Sequence, residues 1–179
     1  KLLSFTDNRQ DASLQAGHFN DFVDISMLRS ALYRATQLAG EKGIQYKELP
    51  QKIFEALNLP LAFYANNPEV KFLQREQTDQ ALRDVLGYRV YRDLKRGWRI
   101  TSPNLEQCGL LKIEYQSLRE LCQSDEEWAD KHPALATASA ETREKISKVL
   151  LDFMRRELSI KVDYLSPTSQ DQIRQSSNQ

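Results

Sequence analysis

The chain has 179 residues, 40% of them apolar and 28% charged, which is enough for one domain with a hydrophobic core or for two small ones. Lysine plus arginine and aspartate plus glutamate both number 25, so the formal net charge is zero, and any binding to nucleic acid must come from local patches. The two cysteines argue against a disulfide scaffold, no Cys/His spacing fits a zinc site, and no apolar run approaches about 18 residues. We therefore expect a protein of the reducing cytoplasm, with no metal site and no membrane partner.

The opening residues predict a strand, a sharp turn and a helix. The apolar run at 2–5 is typical of a buried strand, and a helical period begins after Asp7 and Asn8. At such a junction the first free backbone N–H groups of the helix point past the end of the strand and can hold an anion. Arg9 would add a planar fork of donors that suits phosphate oxygens. The alternative is that Asp7 or Asn8 only caps the helix and that Arg9 is a surface charge.

The same residues resemble a known family. The stretch Leu-Leu-Ser-Phe-Thr-Asp-Asn-Arg-Gln-Asp-Ala at 2–12 is similar to the first strand and motif IV turn of the second RecA-like domain of DEAD/DEAH-box (superfamily 2) helicases, especially large bacterial ones with an F-[ST]-D-[SN]-R-Q-D-A signature. Residues 96–111 resemble an insert of that subgroup; they run Arg-Gly-Trp-Arg-Ile-Thr-Ser-Pro-Asn-Leu-Glu-Gln-Cys-Gly-Leu-Leu. In the family the motif IV turn contacts the sugar-phosphate backbone of the bound strand. The resemblance therefore implies this role for Thr6, Asn8 and Arg9.

The sequence lacks the residues of an ATPase site. It contains no Gly-x-x-x-x-Gly-Lys-[Ser/Thr] loop, no Asp-Glu-x-[Asp/His] box and no arginine-finger segment of the family's closing motif. We therefore assign no catalytic residue, no cofactor and no small-molecule substrate to this chain, whereas ATP and Mg²⁺ are expected for the parent helicase. Because the sequence begins inside the predicted strand and without a methionine, we expect a piece cut from a longer polypeptide, whose remainder is a partner.

The first segment, 1–41, is predicted to combine the strand with one or two helices. Apolar residues at 12–27 recur every three or four positions, and the apolar stripe changes phase after about Asp24. This change predicts a kink, or a second helix capped by Asp24, with an end at Gly40 or Gly43.

The second segment, 42–115, is predicted to be a helical insert that carries much of the candidate site. Apolar spacing predicts a helix that ends at Pro60 and a longer helix over 80–96. On the longer helix three arginines recur at intervals of three and four residues opposite the apolar stripe, and a fourth follows it: Arg89, Arg92, Arg96 and Arg99. This arginine stripe predicts a phosphate-binding face, in which each guanidinium neutralises one backbone phosphate. The alternative is a solvated face paired with carboxylates elsewhere in the chain.

Two predicted strands, 98–101 and 110–115, would close the second segment as a hairpin. The later one alternates apolar and charged residues, which is the period of a half-buried strand. Several helices followed by a hairpin form the layout of a winged helix.

The third segment, 116–179, is predicted to consist of helices. Ser117 would cap a helix whose Cys122 belongs to the core, and Ser166-Pro167 is a later start signal. The clearest helix of the chain has apolar residues three and four positions apart, which predicts that this face packs against its neighbours: Ile146, Val149, Leu150, Phe153, Met154 and Leu158.

These patterns together predict a mainly α fold, a helical bundle with a short N-terminal strand and a small, winged-helix-like β-hairpin. The leading hypothesis is a fragment of an ATP-dependent DNA helicase that contacts the backbone of single-stranded or duplex DNA through the motif IV residues and the arginine stripe. Two alternatives stay open. One is a free-standing winged-helix DNA-binding module, and the other is a helical protein-interaction domain whose arginines meet an acidic partner.

Overall fold

The computed structural model describes residues 9–96 and 103–171, with side chains at 20–95 and 103–171. The described chain contains the helices α1 (Arg9–Ala39), α2 (Leu49–Leu57), α3 (Phe72–Arg96), α4 (Leu118–Gln123), α5 (Pro133–Ala136) and α6 (Ala140–Arg156). Short 3₁₀ helices lie at Gly40–Lys42, Leu61–Phe63, Asp125–Trp128 and Asp163–Leu165, and 167–171 is helical. The chain divides into two compact units, the first ending at Val90 and the second beginning at Tyr91, so that α3 contributes to both. The segment boundaries at 41 and 115 stay a prediction.

Every regular element within the described ranges is helical, which confirms the mainly α prediction and makes the predicted hairpin wrong. Residues 110–115 form irregular chain. A strand needs a neighbour that pairs with its backbone groups, but the N–H groups of Leu110 and Leu111 donate back to the carbonyl of Leu105, at 2.9 and 3.2 Å. Because these two N–H groups bond within a turn, they cannot pair with a neighbouring strand. The segment therefore does not form the hairpin that a winged helix requires. The predicted strands at 2–5 and 98–101 lie outside the described residues.

α1 is one continuous helix, so the second helix predicted to begin at Asp24 is wrong, while the alternative of a kink there stays a prediction. Helical hydrogen bonds join residue i to residue i−4 whichever side chains are apolar, so a change of phase turns the buried face around the helix without ending it. After the change, Leu28 and Leu32 lie on the buried face. The predicted end at Gly40 is confirmed: this residue has φ 59°, a left-handed conformation that glycine adopts without steric cost.

The first unit is built on the packing of α1 against α2. The predicted helix α2 is confirmed: Pro50 lies in its first turn, and Ile53 is completely buried. The helix ends at Leu57, with Asn58 as its C-cap, rather than at Pro60. Asn58 has φ 47°, and its N–H donates to the carbonyl of Phe54 at 3.1 Å, which closes the last turn.

In the second unit a buried asparagine fastens the chain that follows α3 to the helix itself. Asn104 is 2% exposed, and its Nδ2 donates to the carbonyls of Asp93 (3.3 Å) and Leu94 (3.2 Å). Its Oδ1 accepts from the N–H of Gln107 at 2.9 Å. A side-chain amide suits this place because it offers donors and an acceptor in one plane, and it bonds carbonyls in the last turn of a helix, which lack partners of their own.

A buried arginine joins α4, α5 and α6. Arg143 of α6 is 2% exposed, and it donates to the carbonyl of Cys122 in α4 at 3.3 Å. It also donates to the carbonyls of Leu135 (2.9 Å) and Ala136 (2.6 Å) in α5, and it pairs with Asp125 at 2.7 Å. Carbonyls at helix ends have no partner within their own helix. One side chain therefore satisfies the ends of two helices.

α6 is confirmed as a helix, but the face predicted to pack is exposed. Ser139 caps its start by accepting the N–H of Thr142 at 3.3 Å. The exposed fractions of its apolar side chains are Ile146 47%, Val149 70%, Leu150 55%, Phe153 61% and Met154 39%, and Leu158, which follows the helix, is half-buried. The buried side chains of α6 are instead Arg143 and Arg155. Helical spacing locates an apolar stripe, whereas buried hydrogen bonds decide here which face turns inward.

We expect Arg143→Met to lower the free energy of unfolding by about 3 kcal/mol, because the carbonyls at the ends of α4 and α5 lose a buried donor. Urea denaturation followed by circular dichroism measures this change. Asp125→Asn is the matched control: the Asp125 side chain is 89% exposed, so its loss should cost less than about 1 kcal/mol. Equal losses in the two variants would show that the ion pair, rather than the carbonyl bonds, stabilises this corner.

Candidate nucleic-acid interface

The predicted backbone-contact residues are described to different extents. Thr6, Asn8 and Arg99 lie outside the described residues. Arg9 and Arg96 are the first and last residues of α1 and α3, and each is placed by its position in the helix. Two predicted contacts have described side chains: Arg89, which belongs to the first unit, and Arg92, which belongs to the second.

Arg89 is oriented by a carboxylate of α1. Its Nη1 lies 3.2 Å from Oδ2 of Asp24, and the two side chains are 52% and 56% exposed. A pair this exposed contributes at most about 1 kcal/mol, because water screens both charges. It is the contact expected if the stripe is a solvated face paired with carboxylates. However, it uses one of the five guanidinium donors, so Arg89 keeps donors for a phosphate.

Arg92 is exposed and forms no ion pair with a described residue. Two other charged residues near it on α3 are engaged or buried. Lys95 pairs with Glu157 at 3.1 Å, and Asp93 is only 8% exposed. Because the carboxylate of Asp93 turns inward, it does not offset the charge that Arg92 presents to solvent.

Arg83, whose sequence position predicted no role, is engaged within the first unit. Its Nη1 donates to Oε1 of Gln51 at 2.9 Å, and its Nη2 pairs with Glu76. The guanidinium carbon lies 5.7 Å from the ring centre of Phe54, within range of a cation–π contact. Arg83 thus joins α3 to α2 and is not a phosphate ligand. The position of Arg83 in the sequence gives no signal that distinguishes it from the exposed arginines of the same helix.

A second buried guanidinium belongs to a polar cluster of the second unit. Arg155 is 5% exposed, and its Nη2 lies 2.9 and 3.1 Å from the two carboxylate oxygens of Glu106 and 3.4 Å from Asp152. The hydroxyl of Tyr115 donates to Asp152 at 2.8 Å. Only Nη2 of Arg155 bonds these carboxylates, because its Nε and Nη1 are buried without a partner among the described residues. Burial, and then the hydrogen bond to Asp152, raise the pKa of Tyr115 above its ordinary value.

We expect Tyr115 to ionise above about pH 10, the ordinary pKa of tyrosine. The folded state holds the phenolic proton more tightly than the unfolded chain does. The stability from this bond is therefore complete below that pH and declines as pH rises through the raised pKa. The difference in tyrosinate absorbance between wild type and Tyr115→Phe measures the midpoint, and the same difference in urea supplies the reference. A folded-state midpoint at or below the urea value would contradict the expectation.

Among the described residues, no group of three His, Cys, Asp or Glu side chains could hold a metal ion. An open groove of about 280 Å³ lies beside α1 and the end of α2, lined by Phe22, Met27, Arg34 and Leu57 among others. It is slightly smaller than most ligand pockets, which measure about 300–1,000 Å³, and Arg34 is the one charged group in its lining.

No helix in the described part of the chain is long and apolar enough to cross a membrane.

No family model, curated protein or solved structure matches this chain. The resemblance to superfamily 2 helicases therefore rests on the stretches at 2–12 and 96–111. The structure shows, in addition, which individual arginines are exposed and which residues they bond.

Proposed function

We propose that this chain is a segment of an ATP-dependent DNA helicase of superfamily 2, and that it contributes contacts to the DNA backbone without hydrolysing ATP itself. The observation that carries the proposal is the stretch at 2–12, which fits the F-[ST]-D-[SN]-R-Q-D-A signature. Thr6, Asn8 and Arg9 are the residues that would contact the strand. The remainder of the parent chain would bind ATP and Mg²⁺, and the parent would act in the bacterial cytoplasm.

Two features of the described chain support this proposal. Arg9 belongs to α1, which supplies the helix that a strand–turn–helix phosphate site requires. Arg89 and Arg92 are both exposed and keep donors for phosphate oxygens. Each arginine that neutralises a phosphate releases condensed counterions, so a few such contacts bind DNA even when the net charge is zero.

A helical protein-interaction domain is the second candidate function, and the exposed apolar row of α6 favours it. Contiguous apolar patches on a protein surface mark interaction sites. The two functions are compatible, because a segment of a helicase can contact both DNA and a protein. The winged-helix module is not retained, since residues 110–115 do not form the strand that its wing requires.

We expect the full chain to bind a fluorescein-labelled single strand with an affinity that falls as salt rises. The triple variant Arg89→Ala, Arg92→Ala, Arg96→Ala should flatten the slope of log K against log salt by roughly one unit per lost phosphate contact, and Arg9→Ala by about one. Fluorescence anisotropy over a salt series measures the slopes, and a labelled duplex shows which form of DNA is preferred.

Arg119→Ala is the matched control, because Arg119 is an exposed arginine of α4 outside the proposed contacts. It should leave the slope unchanged. Asp24→Asn removes the carboxylate that holds Arg89 and should raise the affinity at low salt, by up to about fivefold for a pair worth at most about 1 kcal/mol. No binding at low salt, or equal slopes in the triple variant and the control, would contradict the proposed function.

A further inference from the structure

We propose that the apolar row of α6 docks an amphipathic helix of a partner protein, and that this helix carries acidic residues along one edge. The row consists of Ile146, Val149, Leu150 and Phe153, at positions i, i+3, i+4 and i+7, which share one face of a helix. These side chains are 47–70% exposed. Recognition of one helix by another uses the same spacing. The inference deepens the protein-interaction function and is independent of the DNA contacts.

The exposure of the row follows from the fold, because bonds on the rest of α6 fix its rotation. Arg143 is buried against carbonyls of α4 and α5, and Arg155 is buried against Glu106. Asp152 accepts the hydroxyl of Tyr115 at 2.8 Å. Turning the row inward would break these bonds and carry the guanidinium groups away from their partners. The row therefore stays available for a partner while the second unit is folded.

The charges beside the row determine which partner helix fits. Lys145 and Arg156 lie four residues before and seven residues after Val149, so both flank the row on one edge. Both are exposed, as is Lys148 farther round that side, and none of the three forms an ion pair within the described part of the chain. The carboxylate on this side that lies nearest the row, Asp152, is engaged by Tyr115 and Arg155. Glu141, four residues before Lys145, is an exposed carboxylate on the same edge, so the edge carries three exposed cations against one exposed carboxylate. A partner helix complements this net positive charge with carboxylates.

A second copy of this chain does not meet that requirement. Two α6 helices packed antiparallel about a two-fold axis bring the same edge of each together, so Lys145 of one copy would face Arg156 of the other. A parallel pair would align the two helix dipoles and place the basic edge opposite Ser147 and Met154, which carry no negative charge. Like charges at a contact oppose association.

The size of the row also fits a single helix better than a whole subunit. α6 has 17 residues and is therefore about 25 Å long. One face of such a helix offers less than the roughly 800 Å² per partner of a typical stable interface between proteins. A peptide helix with three or four apolar anchors needs no more than this face.

The test uses the full chain and two labelled synthetic peptides of about 20 residues, longer than the roughly 12–15 residues below which isolated helices are marginal in water. Both carry leucine at i, i+3, i+4 and i+7, and the polar positions beside the leucines hold glutamate in the acidic probe and lysine in the basic probe. We expect the acidic probe to bind at least about tenfold more tightly, as fluorescence anisotropy would show. Phe153→Ser should weaken its binding by about tenfold or more. Both probes lack phosphate, so the outcome is separate from that of the DNA experiment.

Further variants test whether the preference for the acidic probe depends on the charges beside the row. The double variant Lys145→Glu, Arg156→Glu should reverse the preference, so that the basic probe binds more tightly. Lys161→Glu, an exposed lysine outside α6, is the matched charge control and should keep the preference for the acidic probe. Leu38→Ser, which removes an 85% exposed leucine of α1, is the matched apolar control for Phe153→Ser and should leave binding unchanged.

Three outcomes would overturn the inference. The first is equal binding of the acidic and basic probes, and the second is acidic-probe binding that Phe153→Ser does not weaken while circular dichroism shows the variant folded. The third is a dimer of the free chain, detected by sedimentation, that Phe153→Ser dissociates; this result would assign the row to a second copy of the chain.

Discussion

The burial of two guanidinium groups is the constraint on which the second unit depends. A cation removed from water is costly unless hydrogen bonds and opposite charges replace its hydration. Arg143 meets this requirement mainly with carbonyls at the ends of α4 and α5, since its carboxylate partner, Asp125, is itself largely in solvent. Arg155 meets it only in part, through the bonds of its Nη2 to Glu106 and Asp152, because its Nε and Nη1 are buried without a partner among the described residues. Because both arginines belong to α6, their bonds fix the rotation of that helix and leave its apolar row in water.

This arrangement reverses the usual division of a surface helix into an apolar inner face and a polar outer face. Exposed apolar surface is unfavourable in water, but rotating α6 to bury the row would separate Arg143 and Arg155 from the partners that offset their desolvation. A partner that covers the row would recover that hydrophobic contribution without disturbing the bonds beneath it. The same feature thus explains the orientation of α6 and its suitability for docking.

The arginines of this chain differ in what they can do for a ligand, although they look alike in the sequence. Arg83, Arg143 and Arg155 are largely buried and are bonded within their own units. Arg89 is held by a screened ion pair, and Arg92 is exposed. A net charge of zero therefore neither requires nor excludes binding to a nucleic acid. Binding depends on which guanidinium groups keep donors in solvent, and that follows from the partner of each one.

The sequence by itself determined the elements whose causes are local. α2 with Pro50 in its first turn, the end of α1 at Gly40 and the start of α6 at the Ser139 cap all depend on bonds within four or five residues. Tertiary structure decided which faces are buried, which arginines remain in solvent and that 110–115 forms no strand. The bonds responsible join residues far apart in the chain: Arg143 to Cys122 across 21 residues, Arg155 to Glu106 across 49, and Arg89 to Asp24 across 65. Helical spacing records which residues share a face, whereas burial depends on distant partners that local periodicity does not encode.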